Sequence, residues 1–180
     1  TEVYSIDETF VDLSGFGGRM LAHAGEMRAR VSKDVGIPTC VGIAPTKTLA
    51  KFANFIAKKN PVFGGVCDLT DEGVRRFCME RVDVSEIWGV GRQTTAKLMA
   101  VGVETVAQLR NMPLPLARKV GTVVLERTVV ELAGFPCIDV QEVEPQRKGM
   151  ALTRSAGTPM SSLAVLQQAL TAHATRAAEK

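Results

Sequence analysis

Up to Leu69 short apolar runs alternate with stretches of helical period; beyond it the helical period continues and the β-branched runs disappear. Near the start, Tyr4-Ser5-Ile6-Asp7-Glu8-Thr9-Phe10-Val11-Asp12-Leu13 places β-branched and aromatic residues on both sides of a carboxylate pair, which predicts two short strands meeting at an acidic bend. After the glycine-rich turn Ser14 to Gly18, apolar Met20, Leu21, Ala24, Met27, Val31 and Val35 recur at helical spacing, and Gly36 with Pro38 ends the helix. An amphipathic helix laid on a sheet is expected. Thr39 to Ala44, bounded by Pro38 and Pro45, is too short for a helix and suits a buried strand. A second helix follows, with Thr46 as its cap, Leu49, Phe52, Ala53 and Ile56 as its apolar face, and Asn60-Pro61 as its stop. Gly64 to Leu69 reads as one more strand. Strand, helix and strand in this order predict an α/β layer, with a domain boundary near residue 69.

The second half predicts an all-α unit. Thr70 caps a helix through Val74, Phe77 and Cys78; Val84 to Val103 reads as a short helix, a G-V-G turn and a second helix; Pro113 and Pro115 start another, and Thr122 caps a helix running to Gly134. Val140 to Gly149 has no period and reads as a linker. Met150 to Ser155 then reads as a strand and Met160 to Lys180 as a capped helix.

Composition narrows the class. A hydrophobic fraction of 46% and a charged fraction of 23% are those of a folded globular chain and exclude a disordered one. A net charge of +3 is compatible with a polyanionic partner without requiring one. The excess sits at the end: from Pro145 onward Arg147, Lys148, Arg154, Arg176 and Lys180 face only Glu179. No apolar run approaches the roughly 20 residues that span a bilayer, so no membrane partner and a cytoplasmic location are expected. Cys40, Cys67, Cys78 and Cys137 form no C-x-x-C pair and lie far from His23 and His173, so neither a zinc site nor a disulfide framework is readable and buried thiols are expected.

Three features carry candidate chemistry. Asp7 and Glu8 are adjacent carboxylates, which a divalent ion between them would stabilise. Mg²⁺ is commonly held by one or two carboxylates plus water and phosphate oxygens, so the pair suits phosphoryl or nucleotidyl transfer. Lys47, Lys51 and Lys58 share one stripe of their helix with no acidic partner in it, as a phosphate clamp would require, although a solvated face has the same pattern. In Trp88-Gly89-Val90-Gly91-Arg92, two glycines let the backbone approach a phosphate. The free N–H groups of the following helix form an anion site, and Arg92 and Lys97 add charge. A plain αα-turn is the competing reading.

As an ordered set, Ser5-Ile6-Asp7-Glu8, Gly42-Ile43-Ala44 followed by Thr46-Lys47-Thr48-Leu49-Ala50-Lys51, then Lys58-Lys59, Gly64-Gly65-Val66, Trp88-Gly89-Val90-Gly91 and Val124-Leu125-Glu126-Arg127-Thr128-Val129-Val130-Glu131-Leu132 resemble the Y-family translesion DNA polymerases, the UmuC type above all. The resemblance implies an α/β (α+β) partial palm over residues 1–69, a small all-α thumb with a helix-hairpin-helix over 70–143, a linker over 144–149, and the beginning of an α+β little-finger domain over 150–180. It implies two Mg²⁺ ions in the complete enzyme, with Asp7 and Glu8 as two of three acidic ligands and Lys58 reaching the triphosphate. Gly89, Val90, Gly91, Arg92 and Lys97 would contact DNA phosphate. Primer-template DNA and a deoxynucleoside triphosphate are the implied substrates, with UmuD-like accessory subunits, RecA and the sliding clamp as partners of the full-length protein. The strand-like start at Glu2 and the lack of a counterpart for the first acidic ligand lead us to expect a fragment that is inactive alone. A noncatalytic DNA-binding module, and another two-metal enzyme such as a nucleotide cyclase or nuclease, are the alternatives.

Overall fold

A computed structural model describes residues 1–140, 149 and 151–179. They form helices with two small sheets, gathered into two compact units, Thr1–Glu142 and Val143–Lys180.

In the first unit, β1 (Glu2–Val3) and β2 (Thr9–Phe10) pair antiparallel, with Glu2 opposite Phe10 and Val3 opposite Thr9. The bend between them is closed by the N–H groups of Tyr4 and Ser5, which donate to the Glu8 carbonyl at 3.0 and 3.1 Å. This is the acidic bend that the alternation of residues predicts. Helix α1 (Met20–Val35) stops where expected: Gly36 is left-handed (φ 75°) and its N–H donates to the Ser32 carbonyl. Its apolar face is only partly used, since Ala24 is its one buried residue and Leu21, Val31 and Val35 remain exposed.

Strands β3 (Val41–Ile43) and β4 (Val66–Asp68) pair parallel, with α2 (Lys47–Lys59) as the connection between them. A parallel pair needs such a crossover, and the helix must then cover the strands. Gly42 permits that approach. A Cβ there would lie 2.2 Å from the Ala50 carbonyl oxygen and 2.3 Å from the Asn54 nitrogen, both backbone atoms that cannot swing away. The Thr46 hydroxyl accepts from the Leu49 N–H, as its capping position predicts.

The helical part departs from the sequence reading in detail. Asp71, not Thr70, caps α3 (Glu72–Met79), because the Thr70 N–H is turned back to Asp68 while the Asp71 carboxylate accepts from Val74. The short helix expected before the G-V-G turn is a single 3₁₀ turn, Val84–Glu86. Next come α4 (Arg92–Met99), and α5 (Val106–Arg110), which opens on a capping box of Thr105 and Gln108. The two helices expected on either side of Thr122 are present as the two halves of α6 (Leu114–Leu132), separated by the non-helical Gly121 and Thr122. Thr122 has φ 69° and ψ −173°, a conformation natural to glycine and strained in threonine.

One core runs through all of this. Leu49, Phe52, Leu69, Met79, Val84, Leu98, Leu109 and Leu132 belong to a single buried cluster, so the change of composition near residue 69 is not matched by a break in packing. Glu131 fastens the junction. Fully buried near the end of α6, it accepts from the Thr48 N–H (2.9 Å) with one carboxylate oxygen and from the Cys137 and Ile138 N–H groups (3.0 Å each) with the other. Its carbonyl accepts from the Thr46 hydroxyl at 3.0 Å. A carboxylate at the first turn of α2 satisfies an otherwise unpaired donor and opposes the positive end of the helix dipole.

In the second unit α7 (Leu163–Ala178) is capped by Ser162 and so begins three residues after the expected start at Met160. The strand expected over Met150 to Ser155 does not form in Ala151–Ser155, because no neighbouring strand among the described residues of this unit completes a ladder; Met150 is outside the described residues. The expected linker over 144–149 also lies outside them, except for Gly149.

Candidate active site and nucleic-acid interface

The acidic bend is held on α2 by charge. Lys47, itself buried, donates to Glu2 at 2.5 Å, and Lys51 pairs with Glu8. The ammonium groups also lie over aromatic rings of the same hairpin, Lys47 over Phe10 at 5.0 Å and Lys51 over Tyr4 at 5.5 Å. The lysine stripe read as a phosphate clamp is thus largely committed to protein carboxylates, which come from the hairpin and could not be seen by inspecting the helix alone. Lys58 differs. It lies exposed in the last turn of α2, two turns beyond Lys51, and has no ion-pair partner among the described residues.

Asp7 is exposed and accepts from the Ser5 hydroxyl at 2.7 Å. Glu8 is half-buried beside Lys51. One oxygen of each carboxylate is thereby engaged, and Asp7 Oδ2 and Glu8 Oε2 have no protein partner among the described residues. Carboxylate oxygens from two residues neighbouring in the chain are the donor type that Mg²⁺ takes, with water and substrate oxygens completing its shell. They are a partial set: among the described residues no group of three or more His, Cys, Asp or Glu side chains is placed to hold a metal ion.

The hairpin also meets Trp88, the residue that precedes the G-V-G turn. Gly89 has φ 85°, which requires glycine, whereas Gly91 is extended (φ −82°, ψ 173°) and occupies the N-cap of α4 without a side chain to cap it. The first N–H groups of α4 therefore have no side-chain acceptor there. A Cβ at Gly91 meets nothing within 4 Å, so its use is not explained by crowding inside the protein. Val90 is buried and anchors the turn, while Gly89, Gly91, Arg92 and Lys97 are exposed around it.

Trp88, next to this turn, was not singled out by the sequence reading. Its indole N–H donates to the Tyr4 hydroxyl at 3.2 Å, and its ring meets Tyr4 edge-on at 5.5 Å and Phe10 at 6.1 Å. The chain has one Trp and one Tyr, and both are in this contact. Glu131 was also missed as a connecting residue. A charged residue within the apolar period of α6 was the available signal.

The cysteines are less uniform than expected. Cys67 and Cys78 are buried and Cys40 is half-buried, but Cys137 is exposed. Burial, reinforced by Cys78 and Asp68, pushes the Cys67 thiol up to about 12. In the second unit Arg154, His173 and Arg176 line an open groove of about 370 Å³. Among the described residues no helix is long and apolar enough to cross a membrane.

The chain matches, over residues 1–54, the family model described as the impB/mucB/samB family. It is similar over 99% of its length to Protein UmuC of Salmonella typhimurium strain LT2 and to Protein MucB of Escherichia coli, at 42% identity to each. It spans 43% of the length of either. DNA polymerase IV 2 of Bacillus subtilis strain 168 is 37% identical over 66% of this chain and 29% of its own. Among solved structures, the insertion ternary complex of Dbh DNA polymerase overlaps 63% of this chain and 31% of its own at 22% identity and a TM-score of 0.49, a likeness too loose for any argument to rest on it.

Proposed function

We propose that this chain is the part of an error-prone translesion DNA polymerase that carries two of its metal-binding carboxylates and its helix-hairpin-helix. Transfer of a deoxynucleotide to a primer 3′ end opposite damaged template is the reaction. The observation that supports this reading is one compact unit in which the hairpin carrying Asp7 and Glu8 is tied to a lysine-bearing helix through Lys51 and, through Trp88, to the residue that opens a glycine turn with no side-chain cap on the following helix.

Asp7 and Glu8 would hold Mg²⁺ through the oxygens that the protein leaves without a partner. When bound, the ions neutralise charge on the attacking and leaving oxygens of the phosphoryl group. Lys51 keeps Glu8 in place beside them, and Lys58 offers a free ammonium to a triphosphate. Gly89, Val90 and Gly91 present backbone N–H groups to the DNA backbone, with Arg92 and Lys97 as nearby charges. These contacts go to phosphate and carry no sequence preference, as a polymerase requires. Reading by the complete protein of primer-template DNA and a deoxynucleoside triphosphate, its UmuD-like, RecA and sliding-clamp partners, and its palm, thumb and little-finger divisions belong to the same proposal.

The test uses the chain extended to the length of its relatives. Asp7→Asn or Glu8→Gln is expected to abolish primer extension while binding to primer-template DNA stays nearly unchanged, because ligation needs the charge and duplex binding does not. Equal loss of extension and binding would make the pair structural. Residues 1–180 alone are expected to give no extension with Mg²⁺ or Mn²⁺; binding without extension in every form would favour a noncatalytic DNA-binding module.

A further inference from the structure

The hairpin that carries Asp7 and Glu8 is too small to hold itself. Two residues on each side form its ladder, and a two-stranded hairpin is marginal in water even when longer. Val3, Ile6 and Val11 are exposed, so burial of these apolar side chains does not fix it. What does fix it comes from outside. Lys47 and Lys51 grip Glu2 and Glu8, and Trp88 grips Tyr4 and Phe10. The ion pairs act on the ends of flexible side chains. The aromatic contact acts on a rigid ring with only two side-chain torsions, and Tyr4, which carries it, opens the bend with its own N–H donating to the Glu8 carbonyl.

We propose that Trp88 is a positioning residue for the Asp7-Glu8 pair: through its N–H···O bond and edge contact with Tyr4 it seats the bend that presents both carboxylates. Trp88 is bonded directly to Gly89, so the residue that seats the carboxylates also begins the turn assigned to phosphate. Trp88 therefore links the carboxylate bend to the glycine turn. The inference rests on Asp7 and Glu8 as metal ligands.

Two measurements on residues 1–180 decide it: hydrogen exchange at the Tyr4 and Ser5 amides, and Mn²⁺ affinity by electron paramagnetic resonance. Trp88→Leu is expected to speed exchange at both amides about tenfold, the loss of an aromatic pair and its hydrogen bond. The Leu49 and Phe52 amides in α2 should keep their protection. Mn²⁺ affinity should fall about fivefold in the same variant, although no metal ligand has been changed. Tyr4→Leu, at a residue 44% exposed and so tolerated by the fold, should reproduce both effects; Tyr4→Phe, which loses only the hydroxyl, should show a smaller part of each. Exchange at Tyr4 and Ser5 within twofold of the parent in both Trp88→Leu and Tyr4→Leu would overturn the proposal. Faster exchange with unchanged Mn²⁺ affinity would also overturn it, leaving Trp88 a packing residue. Should the parent itself bind no Mn²⁺, or Glu8→Gln bind it equally well, the ligand reading fails and the proposal falls with it, whatever the exchange rates show.

Discussion

Helices α2 and α7 begin in the same way and end in different circumstances. Each has a hydroxyl cap that accepts from the N–H three residues on, Thr46 from Leu49 and Ser162 from Val165. Each carries apolar residues at helical spacing. Yet seven of the thirteen residues of α2 are buried and none of α7 is; Leu163, Val165, Leu166 and Leu170 are all exposed. Local signals are enough to make either helix; within its own unit α2 has the parallel strands, α6 and the acidic hairpin around it, whereas α7 has no other helix or strand in its unit among the described residues. Its stability is tertiary, and so is its chemistry, since Lys47, Lys51 and Glu131 matter only through residues far away in the chain.

The largest effects should come where α2 meets backbone or buried charge. Glu131→Ala leaves the buried Thr48 N–H and the part-buried Cys137 and Ile138 N–H groups without their acceptor and is expected to destabilise the first unit by about 3 to 5 kcal/mol in chemical denaturation. Gly42→Ala should cost about 3 kcal/mol or more, because the new methyl meets backbone of α2 and not a side chain that can turn aside. Leu49→Ala, fully buried, should cost about 2 to 5 kcal/mol, while Leu170→Ala in α7, 60% exposed, should stay within about 0.5 kcal/mol. Equal costs at Leu49 and Leu170 would erase the distinction between the two helices. Thr122→Gly should move stability the other way, by about 1 kcal/mol or more, by relieving the strained φ of the α6 kink.

The smallest effect is a pH dependence. The hydrogen bond from Arg75, aided by Arg110, holds the Glu72 carboxyl below its ordinary value of 4.5. Its folded-state value is the lower one, so its contribution is complete above the ordinary carboxylate range and is lost as pH falls through the folded value. Glu72→Gln should therefore lower stability slightly at neutral pH, leave strongly acid pH little changed and so flatten the acid limb, the effect staying small because the Glu72 side chain is about half exposed.

What was legible in the sequence follows the same division. The acidic bend, the α2 cap, the Gly36 stop and the G-V-G turn depend on neighbouring residues, and the chain alone reveals them. The lysine pairs with Glu2 and Glu8, the Trp88–Tyr4 contact and the Glu131 junction join residues 43 to 85 apart and leave no local periodicity. Thr70 failed as a cap because Asp71, one residue on, is an equally good acceptor and better placed. The strand at Ala151 failed for want of a partner, which no propensity can supply.

DNA binding is assigned to the turn from Gly89 to Gly91, in the closely packed unit and not in the basic second one. Fluorescence anisotropy of a labelled primer-template with residues 1–180, across a salt series, tests it. The parent is expected to bind weakly and without sequence preference, with affinity falling by a log-log slope of about 0.9 for each phosphate neutralised. Gly91→Val should fold normally, since its backbone is extended and its Cβ meets nothing, yet bind more weakly than Arg92→Gln, because the methyl groups block the backbone from the phosphate. A folded Gly91→Val that binds as tightly as the parent would contradict the account, and would move the DNA contacts to Arg154, Arg176 and the basic residues beyond Pro145.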